Sequence, residues 1–214
     1  MAAVCYIVGA APLDGRLPEP REGDLLIAAD AGYTALQESG IVADLVIGDF
    51  DSLGAPPAHP NVIPHSPIKD DTDTILAIRY AMERGYRDFA LYGALGGKRL
   101  DLSVASFQTL QFLHAHGARG LLVGGGWNVA LLERGTMRFP AEARGRFAMF
   151  CAGAPCTGVT LHGFSYTMEN GTVSGAFPIG VSNAFIGKAA EVTVRNGMLY
   201  VLWQGEARPE EVFA

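Results

Sequence analysis

Only three cysteines occur in the 214 residues, Cys5, Cys151 and Cys156, and no two of them form a Cys-x-x-Cys pair. That odd, sparse set argues against a disulfide framework or a structural zinc site and reads as reduced thiols of a cytoplasmic protein. The five histidines form no HExxH or related ligand pattern, which argues against a zinc enzyme. No apolar run approaches the roughly 18 to 20 residues of a membrane helix, so no membrane association is expected. The opening MAAVCYIVGAAPLDG has no basic stretch ahead of its apolar run and reads as a first strand, not a signal peptide. Positive charge is also short: the formal net charge is −6, which disfavours binding to nucleic-acid backbones. Neither GxxxxGK[ST] nor GxGxxG is present, so the two commonest glycine-rich phosphate loops are excluded.

What remains is an ordinary globular composition, 49% hydrophobic and 18% charged. Over the first 125 residues, short apolar runs alternate with helical patterns. Val4–Val8, Leu25–Ala29, Leu45–Ile47, Val62–Ile63, Phe89–Tyr92 and Leu121–Val123 read as strands. Several are apolar without alternation, as expected where both faces are covered. Helices are expected over Tyr33–Ser39, over Thr72–Arg84 with Ile75, Ile78 and Met82 inward, and over Leu102–His116 with Val104, Phe107, Leu110 and Leu113 inward. This order predicts an α/β N-terminal domain with a parallel sheet.

Beyond Gly126 the pattern changes. Arg146–Cys151, Val159–Leu161, Thr172–Ser174, Glu191–Arg195 and Leu199–Trp203 are short β-prone runs between turns. Asn196-Gly197 predicts a hairpin between the last two. The expectation is a C-terminal all-β sandwich, with domains at 1–127 and 128–214.

The chemistry concentrates in four segments that follow strands: Asp30; Gly48-Asp49-Phe50-Asp51-Ser52; Lys69-Asp70-Asp71-Thr72-Asp73; and Gly93-Ala94-Leu95-Gly96-Gly97-Lys98-Arg99. In an open α/β sheet these converge on the carboxyl edge, where ligands bind. Carboxylates crowded together repel unless a cation joins them. Mg2+ prefers oxygen ligands and commonly combines one or two carboxylates with substrate phosphates. In an extended segment Asp49 and Asp51 share a face while Phe50 turns inward. Read singly, each aspartate also suits a turn or helix cap. The Gly96–Arg99 turn reads alone as a plain loop. Beside the acids it supplies a phosphate clamp, with Arg99 suited to bidentate contact.

Together these segments resemble the thiamin pyrophosphokinase family. The family's ADGG-like, GDFDS, KDxTD and GGRxDH-like motifs correspond here to Ala29–Gly32, Gly48–Ser52, Lys69–Asp73 and Gly96–Leu102. Gly163–Tyr166 is similar to its GLKY segment, and Gly180–Asn183 to its GVSNE segment. The sequence departs by one extra residue before Arg99, by Leu102 where His or Gln is common, and by Ala184 in place of Glu.

The resemblance implies an ATP-binding first domain, a second domain that helps bind thiamin, and a homodimer with sites between subunits. It implies transfer of pyrophosphate from ATP to the thiamin hydroxyl, giving thiamin diphosphate and AMP. On that reading Asp49, Asp51 and Asp73 hold Mg2+, and Asp51 or Asp73 orients or deprotonates the hydroxyl. Asp30 and Asp70 support the nucleotide or the metal shell, and Lys69, Thr72, Gly97, Arg99 and Asp101 serve the nucleotide. Tyr166 and Trp203 offer aromatic faces to the cationic thiamin ring, although both also suit a sandwich core. Ser182 and Asn183 suit the aminopyrimidine or a plain β-turn. Rival readings are a pyrophosphokinase for a hydroxymethylpterin, a non-catalytic nucleotide sensor and a metal-dependent phosphohydrolase.

Overall fold

A computed structural model describes residues 2–51, 54–66 and 71–213. It is a mixed sheet structure with few helices, and it divides into two compact units. One holds the residues up to Gly125 together with those from Arg208 onward; the other is Gly126–Ala207. None of the described helices is long and apolar enough to cross a membrane.

The first unit runs β1 (Val4–Val8), β2 (Leu25–Ala29), α1 (Gly32–Glu38), β3 (Leu45–Gly48), β4 (Val62–Pro64), α2 (Asp73–Glu83), β5 (Asp88–Tyr92), α3 (Leu100–Ala115) and β6 (Arg119–Gly124), with α4 (Pro209–Val212) closing it. Its strands are parallel in the order β6-β5-β1-β2-β3-β4. All five residues of β1 and of β5 are buried, which explains why those runs show no polar alternation. α2 starts where Thr72 accepts a hydrogen bond from the Ile75 N–H, and it buries Ala77, Ile78 and Ala81. α3 buries Thr109, Leu110 and Leu113. Val104, expected on the inner face of α3, is 56% exposed. The buried stripe begins later because only the second half of α3 is covered.

Three aspartates pin the amino edge of this sheet. Asp24 accepts from the N–H groups of Val4 and Arg21, each at 2.8 Å. Asp44 accepts from the Leu26 N–H at 2.8 Å. Asp88, buried at the start of β5, takes a two-point contact from Arg119 at 2.8 and 3.0 Å. Asp24 and Asp44 thereby satisfy backbone N–H groups at the starts of β1 and β2, whereas Asp88 pairs with a side-chain cation.

The second unit contains β7 (Trp127–Phe139), β8 (Arg146–Cys151), β9 (Cys156–His162), β10 (Met168–Val173), β11 (Asn183–Ala184) and β12 (Ala190–Trp203). All its pairings are antiparallel. Here the expected hairpin at Asn196-Gly197 is wrong. β12 runs through that dipeptide and pairs with β7 on both sides of it, with a register shift between Val194 and Met198. A type I′ turn needs positive φ at both central residues. Only Gly197 has it, at 94°. The dipeptide is a bulge, and β12 changes neighbours across it. Its first half pairs with β9, with Asn196 opposite Thr157, and its second half with β8, Leu199 opposite Cys151. A Cβ on Gly197 would lie 2.9 Å from the Cys156 sulfur, so the bulge also needs glycine for space. The long strand β7, whose Trp127–Phe139 lacks any clean alternation, is absent from the sequence reading.

An aromatic core fills this unit. Phe147 stacks on Phe164 at 4.1 Å, and Phe139 meets Phe185 at 5.1 Å and Trp203 at 5.6 Å. Such pairs add about 0.5–1.5 kcal/mol each beyond the area they bury.

Candidate active site

The strand order of the first unit reverses between β1 and β5. Successive strands after β1 extend one way to β4, and the chain then returns to the other side of β1 to add β5 and β6. A crevice opens at such a switch point beyond the carboxyl ends of the strands. A cavity of about 470 Å3 lies there. Its floor includes Ile7 and Leu91, register partners on β1 and β5. Its rim includes Asp30, Thr72, Asp73, Gly97, Lys98 and Arg99.

Glycine shapes the floor. Gly93 has φ 59°, and a Cβ there would stand 2.6 Å from the Gly9 carbonyl oxygen. The two strand ends are therefore as close as their backbones allow. The stretch Gly9–Pro12, which lines the cavity, went unmarked in the sequence reading. Its signal was a glycine directly after a fully apolar strand.

Three carboxylates converge beside this cavity. Asp30, Asp49 and Asp51 each offer an oxygen, and the three lie within 4.8 Å of one another. Asp30 follows β2 with φ 47°, and Asp49 follows β3. The Asp49–Asp51 segment is not extended, contrary to the sequence expectation. Phe50 has φ 59° and is only 2% exposed, so burial of its ring holds a tight left-handed turn. The Asp51 N–H donates to Asp49 Oδ1 at 3.2 Å within that turn. Asp73 stands in the first turn of α2 and lines the cavity with Asp30, but is not one of the three. The motif resemblance alone favours Asp73 over Asp30 as a metal ligand.

An all-oxygen donor set of this density suits a hard divalent cation. Without one, three carboxylates so close would repel one another.

The other acids near these motifs do different work. Asp44 belongs to the amino edge, and Asp71 pairs with Arg79 at 2.9 Å. Lys69 and Asp70 lie outside the described residues.

The glycine-basic loop enters α3 without a side-chain cap. Gly96 and Gly97 have φ 82° and 74°, and the Gly96 N–H donates to Ser103 Oγ at 3.0 Å, tying the loop to the helix. Ser103 had no place in the sequence reading. Arg99 makes a two-point contact with Asp101 at 2.9 and 2.6 Å, with both side chains exposed. That bond raises the Arg99 pKa and holds the Asp101 carboxyl below its ordinary range. Asp101 thus orients Arg99 at the cavity rim. The uncapped start of a 16-residue helix adds favourable potential for an anion.

In the second unit, Tyr166 is 68% exposed and Ser182 is exposed with φ 63°. Asn183 is buried. Its Oδ1 accepts from the N–H groups of Tyr166 and Ala184, each at 2.9 Å, and its Nδ2 donates to the Tyr166 carbonyl at 2.7 Å. Its amide is committed to holding the Tyr166 backbone. Trp203 is 5% exposed and sits in the aromatic core.

Comparison with known proteins adds independent findings. The family model described as thiamin pyrophosphokinase, catalytic domain, matches residues 21–120. The one described as thiamin pyrophosphokinase, vitamin B1 binding domain, matches residues 137–199. A thiamine pyrophosphokinase of Bacillus subtilis (strain 168) is 24% identical over 188 residues, covering 85% of this chain and 87% of that protein. The crystal structure of a thiamin pyrophosphokinase family protein from Enterococcus faecalis superposes with a TM-score of 0.79 at 26% identity. It covers 96% of this chain and 100% of its own. A thiamine pyrophosphokinase structure from Bacillus subtilis gives 0.80 at 23% identity, covering 95% and 100%, a likeness of fold.

Proposed function

Because this chain belongs to the thiamin pyrophosphokinase family, we propose that it transfers pyrophosphate from ATP to thiamin, yielding thiamin diphosphate and AMP. The observation that carries this reading is the meeting of Asp30, Asp49 and Asp51 beside the switch-point cavity. The thiamin hydroxyethyl oxygen bonds to the β-phosphorus. The bond from that phosphorus to the oxygen bridging the α-phosphate breaks, and AMP departs with the bridging oxygen. The hydroxyl proton passes to a carboxylate.

Transfer of this kind depends mainly on positioning and charge neutralisation. Asp30, Asp49 and Asp51 would hold Mg2+, which when bound neutralises charge on the phosphates. Asp30 thereby takes the ligand place first given to Asp73. Asp73, on the cavity wall, is assigned to orienting the hydroxyl and receiving its proton, and Asp51 supports the same carboxylate edge. Arg99, oriented by Asp101, and Lys98 neutralise phosphate charge at the rim. Gly97 lets the backbone approach, and Thr72 contributes as the cap that fixes α2 behind Asp73. Lys69 and Asp70 remain assigned to the nucleotide on motif resemblance.

For thiamin, exposed Tyr166 offers the aromatic face and Ser182 a hydrogen bond. Asn183 positions Tyr166, and Trp203 supports from the core. Residues before about 127 form the nucleotide and metal domain. The β unit is a sandwich whose layers share β7 and β12. The family resemblance supports a homodimer with shared sites, and the three free cysteines support cytoplasmic residence.

The test is a mass-resolved product assay with ATP, thiamin and Mg2+. AMP and thiamin diphosphate in equal amounts are expected. ATP consumption at full rate without thiamin, or product from a hydroxymethylpterin alone, overturns the assignment.

A further inference from the structure

Cys151 closes β8 and Cys156 opens β9, with only residues 152–155 between them. β8 and β9 share one edge of β12, since β7 occupies the other. Cys151 stands opposite Leu199, and a Cβ on Gly197 would lie 3.1 Å from the Cys156 Cα. The two cysteines therefore sit two residues apart along that edge, a rise of about 6–7 Å. This is the upper part of the Cα separation that a disulfide bridges. Gly153, at φ 112°, would meet nothing within 4 Å of a Cβ, so the turn has room to draw its ends together.

The side chains face the same interior. Along β8, Phe147, Met149 and Cys151 alternate inward, while Phe150 is 39% exposed. Cys156 is fully buried, and so is its β10 partner Val173. One carbonyl joins the two segments. That of Met198 accepts from the Ala152 N–H at 2.8 Å and from the Cys156 thiol at 3.1 Å. The Cys156 sulfur thus lies near the peptide bond that follows Cys151. Burial raises the Cys156 pKa, the Met198 contact lowers it, and negative charge on Cys151 raises it again.

We infer that Cys151 and Cys156 form a reversible thiol–disulfide pair, a redox modification site whose oxidant is glutathione disulfide. Cys151, the half-exposed thiol, attacks as its thiolate. Its sulfur bonds to one sulfur of the oxidant, the oxidant's S–S bond breaks, and one glutathione leaves as a thiolate. Cys151 then carries no charge to hold the Cys156 proton in place. Cys156 passes that proton to solvent and attacks the Cys151 sulfur, and the second glutathione leaves. Two protein thiols lose two electrons, and one glutathione disulfide becomes two glutathione thiols. At a reducing cytoplasmic poise both thiols stay free; the pair closes when the oxidised share of glutathione rises.

The experiment incubates the folded full chain with glutathione disulfide, quenches with acid, alkylates in denaturant and weighs the tryptic peptide 147–188, which carries both cysteines. In wild type this peptide is expected to be lighter by two hydrogens and to take no alkyl group, while Cys5 is alkylated. Excess reduced glutathione should restore both thiols. Cys156→Ala should stop at a stable glutathione adduct on Cys151, because no thiol resolves it. Cys151→Ser should leave Cys156 unmodified over the same time. A lasting adduct on wild-type Cys151 overturns the inference, as does a wild-type peptide that keeps both thiols free, or closure that occurs only in urea. Should Cys156→Ala fold poorly, wild type and Cys151→Ser, changed at a half-exposed site, still decide the matter.

Discussion

Asp51 donates its backbone N–H to the carboxylate of Asp49 across Phe50, a residue held in the left-handed region by burial of its ring. The two acids are thus fixed relative to each other by the core beneath them, and both meet Asp30 from the neighbouring strand end. A hydrophobic side chain sets the geometry of a charged site.

Replacing Asp49 or Asp51 by Asn keeps shape and removes charge. Loss of one ligand is expected to lower kcat on the order of 100-fold or more, since metal stabilisation is worth several kcal/mol. Mn2+ affinity, read by electron paramagnetic resonance, should fall in parallel, while the far-UV spectrum stays unchanged. Turnover surviving both changes at saturating Mg2+ would remove the metal role.

Asp44→Ala makes the opposite case. This acid lies close in sequence to Asp49 but caps the Leu26 N–H at the far edge of the sheet. The expected cost is about 1–3 kcal/mol of stability in urea unfolding, with activity per folded molecule unchanged. A selective loss of turnover would mean the two edges are not chemically separate.

Gly197→Ala forces a Cβ against Cys156 at a φ of 94°. A loss of about 1–3 kcal/mol is expected, measured as a lower chemical-denaturation midpoint. An unchanged midpoint would show that the bulge relaxes freely.

The thiols should differ in reactivity. Burial, then the charges of Asp44 and Asp24, push the Cys5 pKa far above the ordinary thiol range. Burial also raises that of Cys156, while Cys151 is half-exposed. With Ellman's reagent at pH 8, Cys151 should react first, Cys156 slowly, and Cys5 only on unfolding. The sign for stability follows. The unfolded Cys5 thiol ionises above roughly pH 8.5, whereas the folded one stays neutral. Its contribution is whole below that pH and declines as pH rises beyond it. Rapid modification of all three thiols in the native protein would contradict this order.

The parallel strands were legible because burial on both faces writes an unbroken apolar run, as in VCYIV and LLIAA. The Asp49 and Asp51 segment was legible because unlike-signed loops follow strands. Three things were not. Asp30 looked secondary, since nothing local shows that a residue after β2 meets a turn after β3. Asn196-Gly197 has the composition of a tight turn, and only the presence of β7 as a continuous partner makes it a bulge. Thr109 falls unmarked within the expected third helix, because the commitment of a hydroxyl to a carbonyl one turn back has no sequence mark.

The continuity of β12 has a consequence in time. β7, β8 and β9 all take their principal partner from residues 190–203, which the ribosome delivers last among these strands. Until then their edges have little to pair with, and such edges invite aggregation. The first unit's sheet is complete by Gly124 and needs nothing later to align its strands. During synthesis the carboxylate edge is therefore expected to take shape before the β unit does. The late strand is the point at which a growing chain depends most on protection.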